Sequence, residues 1–236
     1  MFLYSLLVMY KELQEKIGIH FNDTVIYQTA FTHRSYINEH RHLNRDHNER
    51  LEFLGDAVLE LIVTEYLYKN YPHKSEGDMT NWRSALVRGE NLAKISRDLG
   101  LGQFLYLSKG EEKSGGREKD YLLANTMEAL IGAIYVEHGT KVVKQFIHDF
   151  LLLHLDFILE QGLHIDAKSK FQEISQEKEG LTPTYRLLGE EGPDHNKIFT
   201  MGLYIGEELI GSGQGSSKQS AEQSAAKVGL KEKGWE

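Results

Sequence analysis

Residues 47–63, HNERLEFLGDAVLELIV, constrain the fold more than any other segment of the chain. At about 100° per residue, Glu49, Glu52 and Asp56 fall within about 60° of one another on a helix. An apolar stripe lies beside them and consists of Leu51, Leu54, Val58, Leu61 and Ile62. A solvated acidic face is one interpretation. Because carboxylates beside an apolar stripe repel one another and lose water, we favour a bound counter-cation, and magnesium is the simplest candidate.

A second helical segment, residues 122–139, also combines oxygen ligands with small residues. Asn125 and Glu128 are three positions apart and therefore face the same way on a helix. The small residues Gly132 and Ala133 would let this helix pack closely against another. A core helix with an incidental polar pair is an equally good interpretation of the spacing alone. Glu76, in KSEGDMT, is predicted in a loop or at a helix start.

The spacing of apolar residues divides the chain into two parts. Up to about residue 164, three- and four-residue steps predict helices over 49–70, 84–99, 121–138 and 141–160, with Pro72 the only proline. Beyond Gly162 the pattern predicts a helix, three short strands and a final helix. The sequence thus predicts an all-α domain at 1–161, a linker at 162–167 and a small α+β domain, α-β-β-β-α, at 168–236.

Composition excludes several classes of protein. With 40% hydrophobic and 26% charged residues and a mean hydropathy of -0.44, a membrane-embedded or wholly disordered chain is excluded. The absence of Cys excludes disulfides and thiolate chemistry and suits a reducing cytoplasm. The apolar opening, MFLYSLLVMY, is predicted to begin an amphipathic first helix rather than a signal peptide or a membrane span, so no membrane partner is expected. The net charge of -8 argues against binding nucleic acid by bulk attraction.

Five motifs give the chain a family resemblance. HNERLEFLGDAVL at 47–59 resembles the signature of bacterial ribonuclease III, and the similarity continues in the family's order over nearly the whole chain. The other motifs are AFTHRSY (30–36), EGDMTNWRSALV (76–87), SGGR (114–117) and EALIGAIY (128–135). The resemblance implies a helical, homodimeric endonuclease domain followed by a double-stranded-RNA-binding domain. It also implies magnesium, with manganese as a possible substitute, and 5′-phosphate and 3′-hydroxyl products from ribosomal precursors, messenger RNA and other structured RNA.

The resemblance also assigns roles in the nuclease domain by position. Asp56 and Glu128 correspond to the catalytic pair, and Glu52 and Asn125 complete the metal ligands. Glu49 and Glu76 correspond to outer acidic positions that contact RNA or place metal or water. Phe53 resembles the apolar residue that inserts into the partner subunit.

Asn125 departs from the family pattern, which usually has Asp at this position. The amide keeps a carbonyl oxygen that can coordinate a cation but loses the charge. We expect lower metal affinity and a lower rate rather than complete loss of cleavage. The alternative is a double-stranded-RNA-binding regulator that has weakened or lost cleavage.

In the family, three regions of the second domain touch RNA. On this chain they correspond to 171–176, 192–197 and 215–226, and the candidate RNA-binding residues are Gln172, Glu173, Gln176, His195, Ser217 and Lys218. Such a domain reads the shape and 2′-hydroxyls of a duplex rather than its sequence. Residues 166–236 carry 9 basic and 12 acidic residues, and Gln219 replaces a usual basic residue. We therefore expect RNA affinity to depend only weakly on salt.

Overall fold

The computed structural model describes residues 10–43, 45–160, 162, 166–193 and 197–235. The chain divides into two compact units, Met1–His164 and Ile165–Glu236, which are described separately below. Residues 1–9, which hold most of the predicted opening helix, and His195 lie outside the described residues.

The first unit is helical. Its α-helices are α1 (Lys11–Ile17), α2 (Thr24–Ala30), α3 (Arg34–Glu39), α4 (Glu49–Asn70), α5 (Glu76–Val87), α6 (Gly89–Leu99), α7 (Lys109–Lys113), α8 (Asp120–Phe150) and α9 (Leu155–Glu160). Short 3₁₀ turns cover Arg41–Leu43, Leu101–Phe104, Gly116–Glu118 and Leu152–His154. The described residues contain no helix that is both long and apolar enough to cross a bilayer.

Helix α4 spans the segment predicted from its sequence pattern. Glu49 and Glu52 lie in its first turn, where the helix dipole favours negative charge. Val58, Leu59 and Ile62 are buried in the main core. Leu61, which we predicted in the buried stripe, is instead 68% exposed. The buried face is centred on Gly55, Val58, Leu59 and Ile62, which turns Leu61 toward solvent.

Helix α8 packs beside α4 and bends at one residue. Gly139 has φ 73° and ψ -174°, a conformation that is essentially restricted to glycine. The bend separates the two predicted helices 121–138 and 141–160, although the second part ends at Phe150 and the chain continues in a 3₁₀ turn and α9. Beyond the bend, Lys144 forms a 2.6 Å ion pair with Glu65 of α4.

The segment predicted as one helix over 84–99 belongs to two helices. Arg88 has an extended backbone, with φ -60° and ψ 147°, and separates α5 from α6. No glycine or proline occupies position 88 itself, so helical periodicity on both sides concealed the break.

The second unit has the predicted α-β-β-β-α order. It consists of α10 (Ala167–Glu179), β1 (Thr184–Glu191), β2 (Ile198–Ile205), β3 (Glu208–Gly215) and α11 (Lys218–Glu232). The strands form an antiparallel sheet in the order β1-β2-β3. Phe171, Leu203, Ala225 and Leu230 are buried together, so both helices cover one face of the sheet.

Candidate active site

Two glycines bring the acidic residues of α4 and α8 together. A Cβ atom on Gly55 would overlap the backbone carbonyl of Glu128, and one on Gly132 would overlap the carbonyl oxygen of Leu51. The two backbones are therefore in direct contact at this level. Gly55 lies between Glu52 and Asp56 in the sequence, so the contact places these carboxylates beside Glu128.

Burial and mutual repulsion perturb these carboxylates. Burial, followed by the charges of Asp56 and Glu52, raises the pKa of Glu128 to about 7. The pKa of Glu52 is also raised, first by burial and then by the charge of Glu49. The polar side chain of Asn125 lowers the pKa of Glu52 and so opposes that rise. The four predicted ligands, Glu52, Asp56, Asn125 and Glu128, thus interact as one group.

The donor set suits a hard divalent cation, because it consists of carboxylate and amide oxygens. The described residues nevertheless contain no group of three or more His, Asp or Glu side chains already arranged to hold a metal ion.

The N-terminal end of α4 carries basic neighbours. Glu49 lies 3.7 Å from Arg34 and 3.8 Å from the Nδ1 atom of His47. The backbone N–H of Asn48 donates to the carbonyl of Thr32 at 2.9 Å, which ties this end of α4 to the AFTHRSY segment. Glu49 therefore lies at the edge of the acidic group rather than within it.

Two other predicted residues, Glu76 and Phe53, form no hydrogen bond or ion pair with the acidic group in the described part of the chain. Glu76 is the exposed first residue of α5, and its carboxylate accepts a 3.0 Å hydrogen bond from Thr80. No hydrogen bond or ion pair between described residues joins Glu76 to Glu52, Asp56 or Glu128. Phe53, on α4, is 81% exposed and belongs to a separate apolar surface.

A polar group at the start of α8 was missed by the sequence analysis. It consists of Glu111, Lys119 and Tyr121, and we call it the α8 rim. The Nζ atom of Lys119 lies 2.6 Å from Oε1 of Glu111, and the Tyr121 hydroxyl donates to the same oxygen at 3.4 Å. No local motif signals this group, because Glu111 comes from a different helix.

Arg117 of the SGGR motif has a structural role. Its Nη1 atom donates to the carbonyl oxygens of Gly102 at 2.8 Å, Gln103 at 3.2 Å and Leu105 at 2.9 Å. These bonds fix the turn that follows α6 and leads toward the α8 rim.

The described candidate RNA-binding residues of the second unit lie on α10 and at the start of α11, and His195 is outside the described residues. Gln172, Glu173 and Gln176 are exposed on α10, and Gln176 donates to Thr182 at 3.1 Å. Ser217 is the N-cap of α11 and exchanges hydrogen bonds with Ser220 at 3.1 Å. Lys218 is exposed in the first turn of α11, where backbone N–H groups are open to an anion.

Comparison with protein families gives a match for each unit. Residues 23–155 match the family described as ribonuclease-III-like, and residues 167–233 match the double-stranded RNA binding motif. A helical unit of this family followed by this motif defines a nuclease of double-stranded RNA.

Individual relatives cover almost the whole chain. Ribonuclease 3 of Enterococcus faecalis is 46% identical over 223 residues, covering 93% of this chain and 95% of the relative. Ribonuclease 3 of Streptococcus gordonii is 47% identical over 218 residues, covering 91% and 92%. The nuclease domain of ribonuclease III from Campylobacter jejuni has 39% identity and a TM-score of 0.56, covering 60% of this chain and 94% of its own. The chain belongs to the ribonuclease III family of double-stranded-RNA endoribonucleases, which are hydrolases.

Proposed function

We propose that this chain hydrolyses phosphodiester bonds of duplex RNA at the acidic group between α4 and α8. Glu52, Asp56, Asn125 and Glu128 hold magnesium, with manganese as a substitute, and Asp56 and Glu128 are the catalytic pair. The observation that carries the proposal is the backbone contact of Gly55 with Glu128, which joins carboxylates from two helices.

The chemistry follows from this ligand set. Bound divalent ions supply an activated water and stabilise charge on the phosphate and leaving oxygens. The carboxylates of Glu52, Asp56 and Glu128 hold the ions, and the Asn125 carbonyl oxygen contributes a neutral ligand. Glu49 and Glu76 contact RNA or place water from outside this group. The products carry a 5′ phosphate and a 3′ hydroxyl.

The chain acts as a homodimer in this proposal. Phe53, Leu61 and Tyr68 are 81%, 68% and 72% exposed on α4, so a large apolar surface lies on one side of this helix. Phe53 inserts into the partner subunit, and each subunit cuts one strand to leave a short 3′ overhang. A region of the Campylobacter jejuni nuclease domain has been described as involved in dimer formation, which supports this arrangement.

The second unit holds the duplex by its shape. Gln172, Glu173 and Gln176 on α10, with His195, reach the shallow minor groove, where amides and imidazoles can bond to 2′-hydroxyls. Ser217 and Lys218 meet phosphates at the start of α11. We assign nuclease activity to residues 1–161 and RNA binding to residues 168–236, joined by a linker at 162–167.

The setting of the reaction follows the bacterial relatives. Ribosomal precursors, messenger RNA and other structured RNAs are the substrates that we propose, and the cytoplasm is the site of action. The absence of Cys is compatible with that reducing compartment.

A regulator that binds duplex RNA without cutting it is the second candidate. Asn125 is the observation in its favour, because it removes one negative charge from the proposed metal site. The first candidate is favoured because the carbonyl oxygen of Asn125 and three carboxylates remain at the site.

One experiment separates the two candidates. A long duplex RNA is incubated with the protein in magnesium and, in parallel, in EDTA, and the RNA length is followed on a denaturing gel. Shortening that requires magnesium supports the nuclease. Binding in a gel-shift assay without shortening in magnesium supports the regulator.

A further inference from the structure

Tyr121 lies on the same side of α8 as two of the proposed metal ligands. At about 100° per residue, Tyr121 is about 40° from Asn125 and about 20° from Glu128 around the helix axis. With a rise of 1.5 Å per residue, it lies roughly 6 Å from Asn125 and roughly 10 Å from Glu128 along the axis. The face that bears the acidic group therefore continues to Tyr121.

The side chain of Tyr121 is open to solvent at this place. It is 55% exposed, whereas its neighbours Leu122 and Leu123 are buried at 3% and 1%. The core therefore does not require the tyrosine ring, and its exposed surface is free to meet a ligand that lies along this face.

The hydroxyl of Tyr121 forms only a weak hydrogen bond within the protein and can change its partner. Its 3.4 Å contact with Glu111 is at the long end of hydrogen bonding. The same Glu111 oxygen is already bound by Lys119 at 2.6 Å, and Lys119 also lies 2.8 Å from the Ser114 hydroxyl. Glu111 keeps its ion pair if the hydroxyl turns away, so the hydroxyl can instead donate a hydrogen bond to another anionic acceptor.

The α8 rim carries less net negative charge than the acidic group and would therefore repel a phosphate less. Lys119 offsets the charge of Glu111, so a donor hydroxyl stands beside a neutral ion pair. The Ser35 hydroxyl of α3 accepts a 3.1 Å hydrogen bond from the backbone N–H of Ser108, the N-cap of the helix that bears Glu111. Arg34 of α3 lies 3.7 Å from Glu49, so α3 connects the rim to the outer end of the acidic site. An anionic strand leaving the metal site would therefore meet less repulsion along this rim.

We propose that Tyr121 is an RNA-contacting residue whose hydroxyl donates a hydrogen bond to a backbone phosphate near the bond that is cut. This inference rests on the proposed function, because the acidic group defines where the strand lies. Successive phosphates of one strand lie only a few ångströms apart along a duplex axis, so a group about 10 Å from Glu128 faces a phosphate a few nucleotides away. Tyr121 thereby positions the strand without taking part in the chemical step.

The test compares Tyr121→Phe with the full-length wild-type protein, because this variant removes only the hydroxyl. We expect KM for a short duplex RNA to rise about tenfold, the size of one hydrogen bond to a charged group, with kcat changed less than about twofold. The melting temperature should be unchanged, since the ring and its buried neighbours remain. Val136→Ala is the matched control, because Val136 is also 55% exposed on α8. It should leave KM unchanged.

A second readout does not depend on cleavage. In a Glu128→Gln background, duplex affinity in magnesium is measured by fluorescence anisotropy with and without Tyr121→Phe. A several-fold weaker affinity supports the contact. The proposal is overturned if Tyr121→Phe has the KM and the duplex affinity of the wild-type protein. It is also overturned if Tyr121→Phe melts at a lower temperature while its KM is unchanged, because the role of the hydroxyl is then purely structural. If the wild-type protein fails to cleave in magnesium, the proposed function fails, while the affinity comparison still decides the role of Tyr121.

Discussion

Asn125 leaves the acidic site with one negative charge fewer than an aspartate at this position would give. Its side chain lowers the pKa of the Glu52 carboxyl and so partly offsets the rise caused by burial and by Glu49. An aspartate at this position would add a fourth carboxylate to a group in which the pKa of Glu128 is already raised to about 7. Asn125 therefore lowers repulsion within the site, at the expense of cation affinity.

We expect Asn125→Asp to reduce the magnesium concentration needed for half-maximal cleavage by about tenfold, because the added carboxylate binds the cation more strongly than the amide does; this change corresponds to roughly 1.4 kcal/mol. The same variant should unfold at a lower temperature in EDTA, where no cation offsets the added charge. Cleavage rates across a magnesium titration and thermal unfolding measure the two effects. Asn81→Asp, at an exposed position of α5, is the control for added charge. Equal cleavage rates at limiting magnesium would refute this account of Asn125.

At the scale of elements, the site depends on how closely α4 and α8 approach. Gly55 and Gly132 allow each backbone to reach the other, and any side chain at these positions would collide with a carbonyl group. Backbone atoms cannot move aside as a flexible side chain can, so a larger residue must separate the helices.

Gly55→Ala should lower the free energy of unfolding by about 3 kcal/mol and abolish most cleavage, since the helices and their carboxylates move apart. Thermal unfolding and cleavage assays test this. Gly77→Ala on α5 is the matched control, because its Cβ would lie 3.8 Å from the Ser75 hydroxyl, an ordinary contact distance. It should retain activity and gain slight stability from the better helix propensity of alanine. Normal cleavage by Gly55→Ala would show that the close approach is dispensable.

The sequence predicted the extent of single helices better than the contacts between helices. The boundaries of α4 were predicted well, because its apolar periodicity is uninterrupted from Glu49 to Asn70. The small residues around Gly132 indicated close helix packing, but the partner Gly55 could not be identified because that contact is tertiary. The α8 rim was missed for the same reason, since Glu111 and Tyr121 belong to different helices.

At the scale of the whole molecule, the proposal of a dimer rests on the large apolar side chains exposed on α4. Phe53 and Leu61 lie about 80° apart around α4, and Tyr68 falls between them in angle. Three large side chains that are each more than two-thirds exposed form a surface of the kind used for association.

Phe53→Glu should convert a dimer to a monomer at micromolar concentrations, because burial of an unpaired carboxylate in an interface weakens association by roughly 100-fold or more. Sedimentation velocity measures the change. Phe157→Glu is the matched control, since Phe157 is 48% exposed on α9, and it should leave the dimer intact. A dimer that survives Phe53→Glu would place the interface elsewhere.

The net charge of the whole molecule is consistent with a cation-binding site in the first unit and RNA binding by the second unit. The net charge of -8 includes the carboxylates of the acidic site, and cations bound there would offset part of it. The second unit remains acidic, with 9 basic and 12 acidic residues over 166–236, so its RNA affinity depends on geometry more than on bulk attraction.

The most direct test of the acidic site is duplex cleavage by Glu128→Gln, measured in a single turnover at saturating magnesium beside RNA affinity. Glutamine keeps the size of the side chain and removes its charge, so folding and RNA binding should persist. We predict that the rate falls by about 1,000-fold or more while RNA affinity changes less than about threefold. Cleavage by Glu128→Gln at the wild-type rate would contradict the assignment of the catalytic site to α4 and α8.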